Sequence, residues 1–358
     1  MIPITKTKLP DIQRYFKYVE RAWQKGIVTN GGELVQELED KLAQYLNVKY
    51  VSLVTNGTLA LMLPLKTMGE TTGKNIITTP YTYVATISAI RWAGYDIKFV
   101  DIDKDTFNID HRQIEKAIDV NTVAIMPVHV YGVPCDPSID TIAKEYNLKV
   151  IYDSSHCFGV SHQFPYATFL TRGDFNCISL HATKVLGTGE GGLIISNSLE
   201  DKLMIDTLRS FGLQGDTIIH LDGLNAKMTE LQAAFGLASL EIVHHNIYKR
   251  KAIYQTYKKL LDGHVQIHDL ETRGVTCNYL YFPILVNDAQ LVKERMMKDG
   301  VNVRRYFYPS LNTVYENGSF KCPISQEVSA RILCLPIYPE LSLSDVEYIA
   351  NKLLKNVV

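Results

Sequence analysis

The chain has 358 residues, 46% of them hydrophobic, and a formal net charge of −1. This length predicts about two domains, and the balanced charge argues against binding to nucleic acid or to a membrane surface. No run reaches the ~18 apolar residues of a membrane span. The first residues lack a signal-peptide pattern, so we expect a cytoplasmic protein.

From residue 50 onward, short runs rich in β-branched residues alternate with helical patterns. Strands are predicted over 50–56, 75–80, 96–102, 122–130, 149–155, 175–181 and 192–197, with helices such as 83–93, 110–118 and 138–146 between them. Apolar strands joined by helical crossovers are typical of a parallel sheet covered on both faces. The sequence therefore predicts a large α/β domain with a mostly parallel, seven-stranded sheet.

A smaller α+β domain is predicted to follow this sheet. A long helical pattern runs from about Lys227 to Leu261, before a strand at 276–286, a helix near 289–299, a strand at 302–307 and a last helix near 344–355. We place the large domain at 1–245 and the small domain at 246–358. Residues 160–174 show no period and predict a surface loop.

The segment TNGTLAL at 55–61 ends a predicted strand and opens a helix. Gly57 and Thr58 would then lie at a helix N-terminus, where free N–H groups and the helix dipole attract an anion such as phosphate. A tight turn with Thr58 as an ordinary N-cap explains the pattern equally well.

Asp153, in VIYDSSHCFG, lies at the carboxyl end of a predicted buried strand. Ligands bind at this rim in open α/β sheets, and a buried carboxylate needs a positive charge or good donors. A turn cap is the structural alternative. Asp153 and His156 together suggest a metal only weakly, because no third ligand has a compatible spacing, so we expect no metal site.

Lys184, in ISLHATKVLGTGEGG, follows a strand and precedes a Gly-rich turn. A lysine among apolar neighbours can lose its proton and attack an aldehyde, although most lysines are solvated surface groups. Gly187, Gly189 and Gly192 match the dinucleotide fingerprint, but they lead into a strand where that fingerprint requires a helix. This context argues against an NAD(P)-dependent reductase.

The order of Gly-Thr, Asp and Lys along one α/β domain resembles the nucleotide-sugar aminotransferases of the DegT/DnrJ family, within the fold-type I enzymes that use pyridoxal 5'-phosphate (PLP). The resemblance extends over nearly the whole chain. It includes the segments PYTYVATISAIRWAG, FVDIDKDTFNID, MPVHVYGVPCD, VIYDSSHCFG, GLNAKMTELQAA, RRYFYPSL and LPIYPELS.

This resemblance implies roles for the residues that would surround the PLP ring. Lys184 would be the catalytic lysine, which binds the cofactor covalently and moves the protons. Asp153 would pair with the protonated ring nitrogen, and His156 would lie beside the phenolic oxygen. Tyr83 would stack on the ring face.

The resemblance also implies a phosphate site, a shared interface and substrate contacts. Gly57, Thr58 and Ser179 would hold the cofactor phosphate, and Asn225 would reach the phosphate of the neighbouring subunit, which predicts a homodimer with shared active sites. The candidates for substrate contact are Lys227, Arg304, Arg305 and Tyr308, and for the two arginines ordinary salt bridging is the structural alternative.

The branch resembled most makes 4-amino-4,6-dideoxy sugars of the viosamine type. It implies that L-glutamate gives its amino group to C4 of a nucleotide-linked 4-keto-6-deoxyhexose. Amination at C3 of a 3-keto sugar and a non-enzymatic sensor on the same scaffold stay open as alternatives. Related sugar dehydratases replace the lysine by histidine, so Lys184 argues against that activity. The sequence leaves the nucleotide (dTDP, UDP or GDP) undetermined.

Overall fold

The computed structural model describes residues 1–162, 169–271, 274–315 and 320–357. Its strands are β1 (Tyr50–Val54), β2 (Asn75–Thr78), β3 (Asp96–Phe99), β4 (Thr122–Met126), β5 (Lys149–Asp153), β6 (Ser161–His162), β7 (Phe175–Ser179), β8 (Gly192–Ser196), β9 (Leu213–Gln214), β10 (Thr217–Ile218), β11 (Gln266–Ile267), β12 (Val275–Thr276), β13 (Pro283–Leu285) and β14 (Ile332–Cys334). Its α-helices are α1 (Ile12–Lys25), α2 (Glu33–Leu46), α3 (Gly57–Lys66), α4 (Val84–Ala93), α5 (His111–Ala117), α6 (Ser138–Glu145), α7 (Leu199–Leu208), α8 (Glu230–Leu240), α9 (Val243–Leu261), α10 (Ala289–Lys298), α11 (Pro323–Arg331) and α12 (Leu343–Asn356).

The large sheet contains all seven predicted strands, in the order β1-β8-β7-β5-β4-β2-β3. Neighbours from β7 to β3 are parallel, whereas β8 is antiparallel to both β7 and β1. The segment between β7 and β8 contains no helix, and such a short link reverses the chain instead of returning it for a parallel pairing. The predicted α/β fold with a mostly parallel sheet is confirmed.

The direction of the strands explains where a ligand site can form. Because β8 is antiparallel to its two neighbours, β1 and β7 run in the same direction as β5. The carboxyl ends of β1, β5 and β7 therefore meet at one edge of the sheet. Asp153 ends β5, Ser179 ends β7, and α3 begins shortly after β1.

The long helix predicted from Lys227 to Leu261 is two helices, α8 and α9, separated at residues 241–242. The helical part begins only at Glu230, because Thr229 and Gln232 form a reciprocal capping box. The proposed boundary between residues 245 and 246 falls inside α9 and stays a prediction.

The small sheet has the order β11-β13-β14 and carries α10 and α12 beside it. The strand predicted at 276–286 is wrong as one element: β12 pairs with β6, β13 joins the small sheet, and Tyr279 between them has a left-handed φ of 55° that interrupts extended backbone.

The strand predicted at 302–307 is also wrong, because in this stretch only one backbone bridge forms, between Arg304 and Cys334. Pro309, which cannot donate to a ladder, follows shortly after it. In the predicted loop at 160–174, residues 163–168 lie outside the described part of the chain, and Phe169 and Leu170 are buried. No described helix is long and apolar enough to span a membrane.

Candidate active site

A cavity of about 430 Å³ opens at the carboxyl edge of the large sheet. It is lined by residues that follow different strands and by residues of the small-sheet region, so it exists only in the folded chain. The cavity brings together most of the residues selected from the sequence, namely Gly57, Thr58, Tyr83, Asp153, His156, Ser179 and Lys184.

Lys184 lies in the turn after β7, where its backbone N–H donates to the carbonyl of His181 at 2.9 Å. Burial of the amine lowers the pKa of Lys184 from 10.5 to about 8, although the nearby Asp153 carboxylate opposes this shift. The amine therefore loses its proton far more readily than that of a solvated lysine. Its neutral form, which a pKa of about 8 makes accessible near physiological pH, is the nucleophile and base expected of this residue.

Asp153 is only 4% exposed and is held by two hydrogen bonds. Its Oδ2 accepts from Thr86 Oγ1 at 2.7 Å, and its Oδ1 accepts from the backbone N–H of Ser155 at 3.1 Å. Thr86 Oγ1 also lies 2.7 Å from Thr82 Oγ1, one helical turn away. A carboxylate has about four acceptor positions, so this one keeps capacity for a donor in the cavity.

His156 presents a neutral imidazole to the same cavity. Its Nδ1 accepts from the backbone N–H of Tyr131 at 3.1 Å, which places the ring proton on Nε2. Burial, reinforced by the positive charge of Lys184, holds the pKa of His156 well below its usual value. The ring also lies nearly parallel to that of Phe307, at 5.9 Å between centroids. His156 can therefore donate from Nε2 without carrying a charge.

The start of α3 and the end of β7 form the part of the cavity suited to phosphate. A Cβ on Gly57 would lie 3.0 Å from Ser179 Cβ, so glycine permits this close approach. The expectation that Thr58 caps the helix is wrong: Asn56 is the N-cap, and its Oδ1 accepts from Leu59 N at 2.9 Å. The free N–H groups in the first turn of α3 and the hydroxyls of Thr58 and Ser179 are suitable donors for the oxygens of a phosphate.

Tyr83 lies at the rim as the N-cap residue of α4 and is 56% exposed. An aromatic ring that projects at the mouth of a cavity can cover the face of a planar ligand. Tyr83, Asp153, His156, Lys184 and the start of α3 therefore fit a ligand with a phosphate, an aldehyde and a ring nitrogen, which is the composition of PLP.

Apart from Arg304, the remaining selected residues are not among those that line this cavity. Asn225 is exposed and forms a single backbone bridge with Ser210. Lys227 Nζ lies 4.4 Å from the ring centroid of Phe211. Their assigned roles stay predictions.

Arg305 and Tyr308 also lie outside the cavity lining. Arg305 donates to the carbonyls of Ser329 and Ala330, at 3.0 Å each, and its guanidinium lies 3.4 Å from the Tyr308 ring centroid. The preceding residue, Arg304, lines the cavity instead. Adjacent residues in this irregular segment point to different surroundings, so of the two arginines considered from the sequence only Arg304 lines the cavity of its own chain, and the role of Arg305 stays a prediction.

Several lining residues were not selected from the sequence. His181, Thr183 and Glu190 flank Lys184 in the chain, so their proximity to that lysine was a usable signal. Thr5 had no such signal, because it reaches the cavity from the N-terminal segment. That segment is bound to the small-sheet region through Ile2 N, which donates to Gly300 O at 2.7 Å.

The described residues contain no group of three or more His, Cys, Asp or Glu side chains that could hold a metal ion.

Comparison with known proteins connects this geometry to a family. Residues 11–354 match the model of the DegT/DnrJ/EryC1/StrS aminotransferase family. The dTDP-4-amino-4,6-dideoxy-D-glucose transaminase of Shigella dysenteriae is 41% identical over 97% of both chains, and that of Escherichia coli is 39% identical over 99% of this chain and 98% of its own. The crystal structure of DesI in the presence of its TDP-sugar product superposes with a TM-score of 0.93 at 28% identity, covering 99% of this chain and 92% of DesI.

Proposed function

Because this chain belongs to the DegT/DnrJ/EryC1/StrS aminotransferase family, we propose that it aminates C4 of a dTDP-linked 4-keto-6-deoxyhexose. L-glutamate would supply the amino group, and PLP would carry it between the two substrates. The product would be a nucleotide-linked 4-amino-4,6-dideoxyhexose.

The observation that carries this proposal is the placement of Lys184 and Asp153 on one cavity. A lysine with a pKa of about 8 and a buried, hydrogen-bonded carboxylate are the amine and the anion that PLP chemistry needs. The names of the transaminases that share 39% and 41% identity support C4 and dTDP.

Bound PLP would supply an aldehyde for an amine and a ring that withdraws electrons from the carbon that bears the nitrogen. The protein would hold that ring at three places. Asp153 would keep the ring nitrogen protonated, Nε2 of His156 would donate to the phenolic oxygen, and the start of α3 with Ser179 would bind the phosphate.

Lys184 would do the proton transfers of both half-reactions. Near neutral pH, a group with a pKa of about 8 both accepts and releases a proton readily. The same amine takes a proton from the carbon of the amino donor and returns one to the carbon of the hexose. One site would therefore serve both substrates in turn, which predicts ping-pong kinetics.

Arg304 supports the binding of an anionic substrate. It lines the cavity and is exposed. A guanidinium presents several fixed donors to a pyrophosphate or to a carboxylate. We assign it the pyrophosphate of the nucleotide sugar or, in the other half-reaction, a carboxylate of glutamate.

A homodimer with shared active sites is also part of the proposal. Asn225 lies outside the cavity of its own chain and is exposed, so it is available to a second subunit. It would contact the phosphate site of that subunit.

The test uses purified protein with PLP, L-glutamate and synthetic dTDP-4-keto-6-deoxy-D-glucose. We expect glutamate to bleach the PLP absorbance, and the sugar to restore it while gaining an amine detectable by mass spectrometry. NMR of the product then locates the nitrogen. If the enzyme instead aminates a 3-keto sugar and the nitrogen is found only at C3, the proposed C4 position is wrong. If no amino donor changes the absorbance, the aminotransferase mechanism is refuted.

A further inference from the structure

Four polar residues that line the cavity either follow or precede Lys184 closely in the chain or share a smaller cavity with it: Thr5, His181, Thr183 and Glu190. Thr5 and Thr183 also line a cavity of about 30 Å³ that adjoins Lys184. We call these four residues the hydroxyl subsite. They come from two distant segments, the N-terminal arm and the turn after β7.

The backbone of this turn is fixed before any ligand binds. The carbonyl of Glu190 accepts from Thr188 Oγ1 at 2.8 Å and from Gln232 Nε2 at 2.6 Å. Ala182 N donates to Gly189 O at 2.8 Å, which ties the two ends of the turn together. The position of the Glu190 backbone is therefore set by the fold.

Hydrogen bonds also orient His181. Its Nδ1 accepts from the backbone N–H of Thr183 at 3.2 Å and lies 2.8 Å from Thr183 Oγ1. A backbone N–H can only donate, so the ring proton lies on Nε2. Nε2 is 3.6 Å from Glu190 Oε1, which is too long for a hydrogen bond. A donor and an acceptor therefore stand side by side, each with capacity left for a ligand.

This pairing favours one chemical class of ligand group. A phosphate or a carboxylate only accepts hydrogen bonds and would be repelled by the charge of Glu190. An ammonium only donates, so it could not accept a hydrogen bond from His181 Nε2. A hydroxyl donates and accepts at once, so it can bind to both. The side chains of Glu190 and His181 are 62% and 45% exposed, so a ligand can reach them.

We propose that the hydroxyl subsite binds the hexose of the nucleotide sugar through its ring hydroxyls, with one hydroxyl bridging His181 Nε2 and Glu190 Oε1. The inference rests on the proposed function and adds to it the residues that recognise the sugar. Arg304 then serves the anionic groups, and the hydroxyl subsite fixes which ring carbon faces Lys184.

The test measures binding to the PLP-loaded enzyme by isothermal titration calorimetry. The nucleotide is chosen first, as the one of dTDP-, UDP- and GDP-glucose that binds the wild type most tightly. The ligand pair is then that nucleotide glucose and its nucleoside diphosphate, which lacks the hexose. If the wild type binds no nucleotide glucose more tightly than the matching diphosphate, no hexose subsite exists and the inference fails.

Replacing Glu190 removes a charged hydrogen-bond partner. For Glu190→Ala we expect the Kd of the nucleotide glucose to rise at least about tenfold, and that of the diphosphate to change less than about twofold. Glu347→Ala, an exposed glutamate of α12 outside the cavity, is the matched control and should change neither. Equal loss for both ligands, or no loss for the glucose, would overturn the inference.

Replacing Thr5 provides a second, independent test. Thr5→Val removes the hydroxyl and keeps the shape, and Thr7→Val makes the same change in the same segment outside the cavity lining. We expect Thr5→Val alone to weaken nucleotide-glucose binding, by about fivefold, and Thr5→Ser to restore it. Equal effects of Thr5→Val and Thr7→Val would show that the N-terminal segment has a structural role, and would contradict the assignment of Thr5 to the hydroxyl subsite.

A titration with the 4-amino sugar nucleotide separates a hydroxyl from an ammonium as the recognised group. If Glu190→Ala weakens only the amino sugar and spares the glucose, Glu190 recognises an ammonium and the inference is wrong. The absorbance change with glutamate, measured separately on the wild type, tests the aminotransferase mechanism itself. Failure of the hydroxyl subsite can therefore be distinguished from failure of the proposed aminotransferase function.

Discussion

Asp153 and His156 are each 4% exposed and bound by hydrogen bonds, whereas Glu190 and Arg304, which line the same cavity, are exposed. We call the part of the cavity around Asp153 and His156 the cofactor side, and the part around Glu190 and Arg304 the substrate side. The cofactor side is built from strand ends of the large sheet and from α4. The substrate side is built largely from a turn and an irregular segment.

The difference follows from what each side has to do. A bound cofactor needs groups held in one position and one protonation state, and burial together with hydrogen bonds to the protein provides both. Two different substrates that enter in turn need groups that solvent and ligand can reach. The experiments below test whether activity depends on the two sides in this way.

The largest effect is expected at Lys184, which faces both sides. Lys184→Ala removes the amine that we propose binds the cofactor and moves the protons, so turnover should fall by at least about ten-thousandfold. The measurement is kcat with glutamate and the keto sugar, with circular dichroism to confirm folding. Lys144→Ala, on the exposed surface of α6, is the control. Turnover and borohydride-reducible PLP that both persist in Lys184→Ala would refute the assignment.

Asp153→Asn tests the charge of the cofactor side. The amide keeps the shape of the side chain but cannot hold the ring nitrogen protonated, so kcat should fall at least about a hundredfold. The amount of bound PLP, read from its absorbance, should fall less. A kcat close to that of the wild type would mean that this carboxylate only caps a turn.

The pH dependence of cofactor attachment tests the desolvation of Lys184. Only the neutral amine attacks an aldehyde, and lowering the pH below the pKa reduces the neutral fraction. With a pKa of about 8, the attachment rate of PLP to the cofactor-free protein should rise about fiftyfold from pH 6 to pH 8 and then level off. Stopped-flow absorbance gives this rate. A rate that keeps rising tenfold per unit to pH 10 would indicate an ordinary, solvated lysine.

Thr86→Val asks how far the cofactor side depends on its hydrogen bonds. Valine has nearly the same shape but cannot donate to Asp153 Oδ2, so the carboxylate loses one of the two hydrogen bonds described above. We expect kcat to fall about tenfold and Thr86→Ser to recover most of it. If Ser does not rescue the activity, packing by the threonine methyl matters more than its hydroxyl.

Subunit mixing asks whether one chain builds the cofactor side alone. If Asn225 completes the partner's phosphate site, Lys184→Ala and Asn225→Ala should complement each other when mixed and re-associated. Random pairing leaves one intact site in each mixed dimer, about a quarter of all sites in a two-fold assembly. Activity that stays at the level of the separate variants, or a fully active monomer, would contradict the shared site.

The strands of the large sheet were predictable because each is a short apolar run between turn residues, and burial on both faces makes that pattern strong. The break between α8 and α9 at residues 241–242 and the irregular backbone of 302–307 were not predictable in this way. Periodicity continues through Thr229, although its capping box starts the helix at Glu230. Alternation near Arg304 suggests a strand, although only one backbone bridge forms there.

The sequence by itself determined which residues stand at strand ends, because local patterns of burial and turns set those positions. That was enough to select Asp153 and Lys184 and to expect an amine and a carboxylate on one rim, whereas Ser179 was selected through the family resemblance. Only the tertiary structure decided that Thr86 holds Asp153, that Thr5 reaches the cavity and that Arg304 faces it while Arg305 does not. Those relations join segments tens to hundreds of residues apart or depend on irregular backbone, and no local period encodes them, because they arise when the packed helices and sheets bring distant chain segments together.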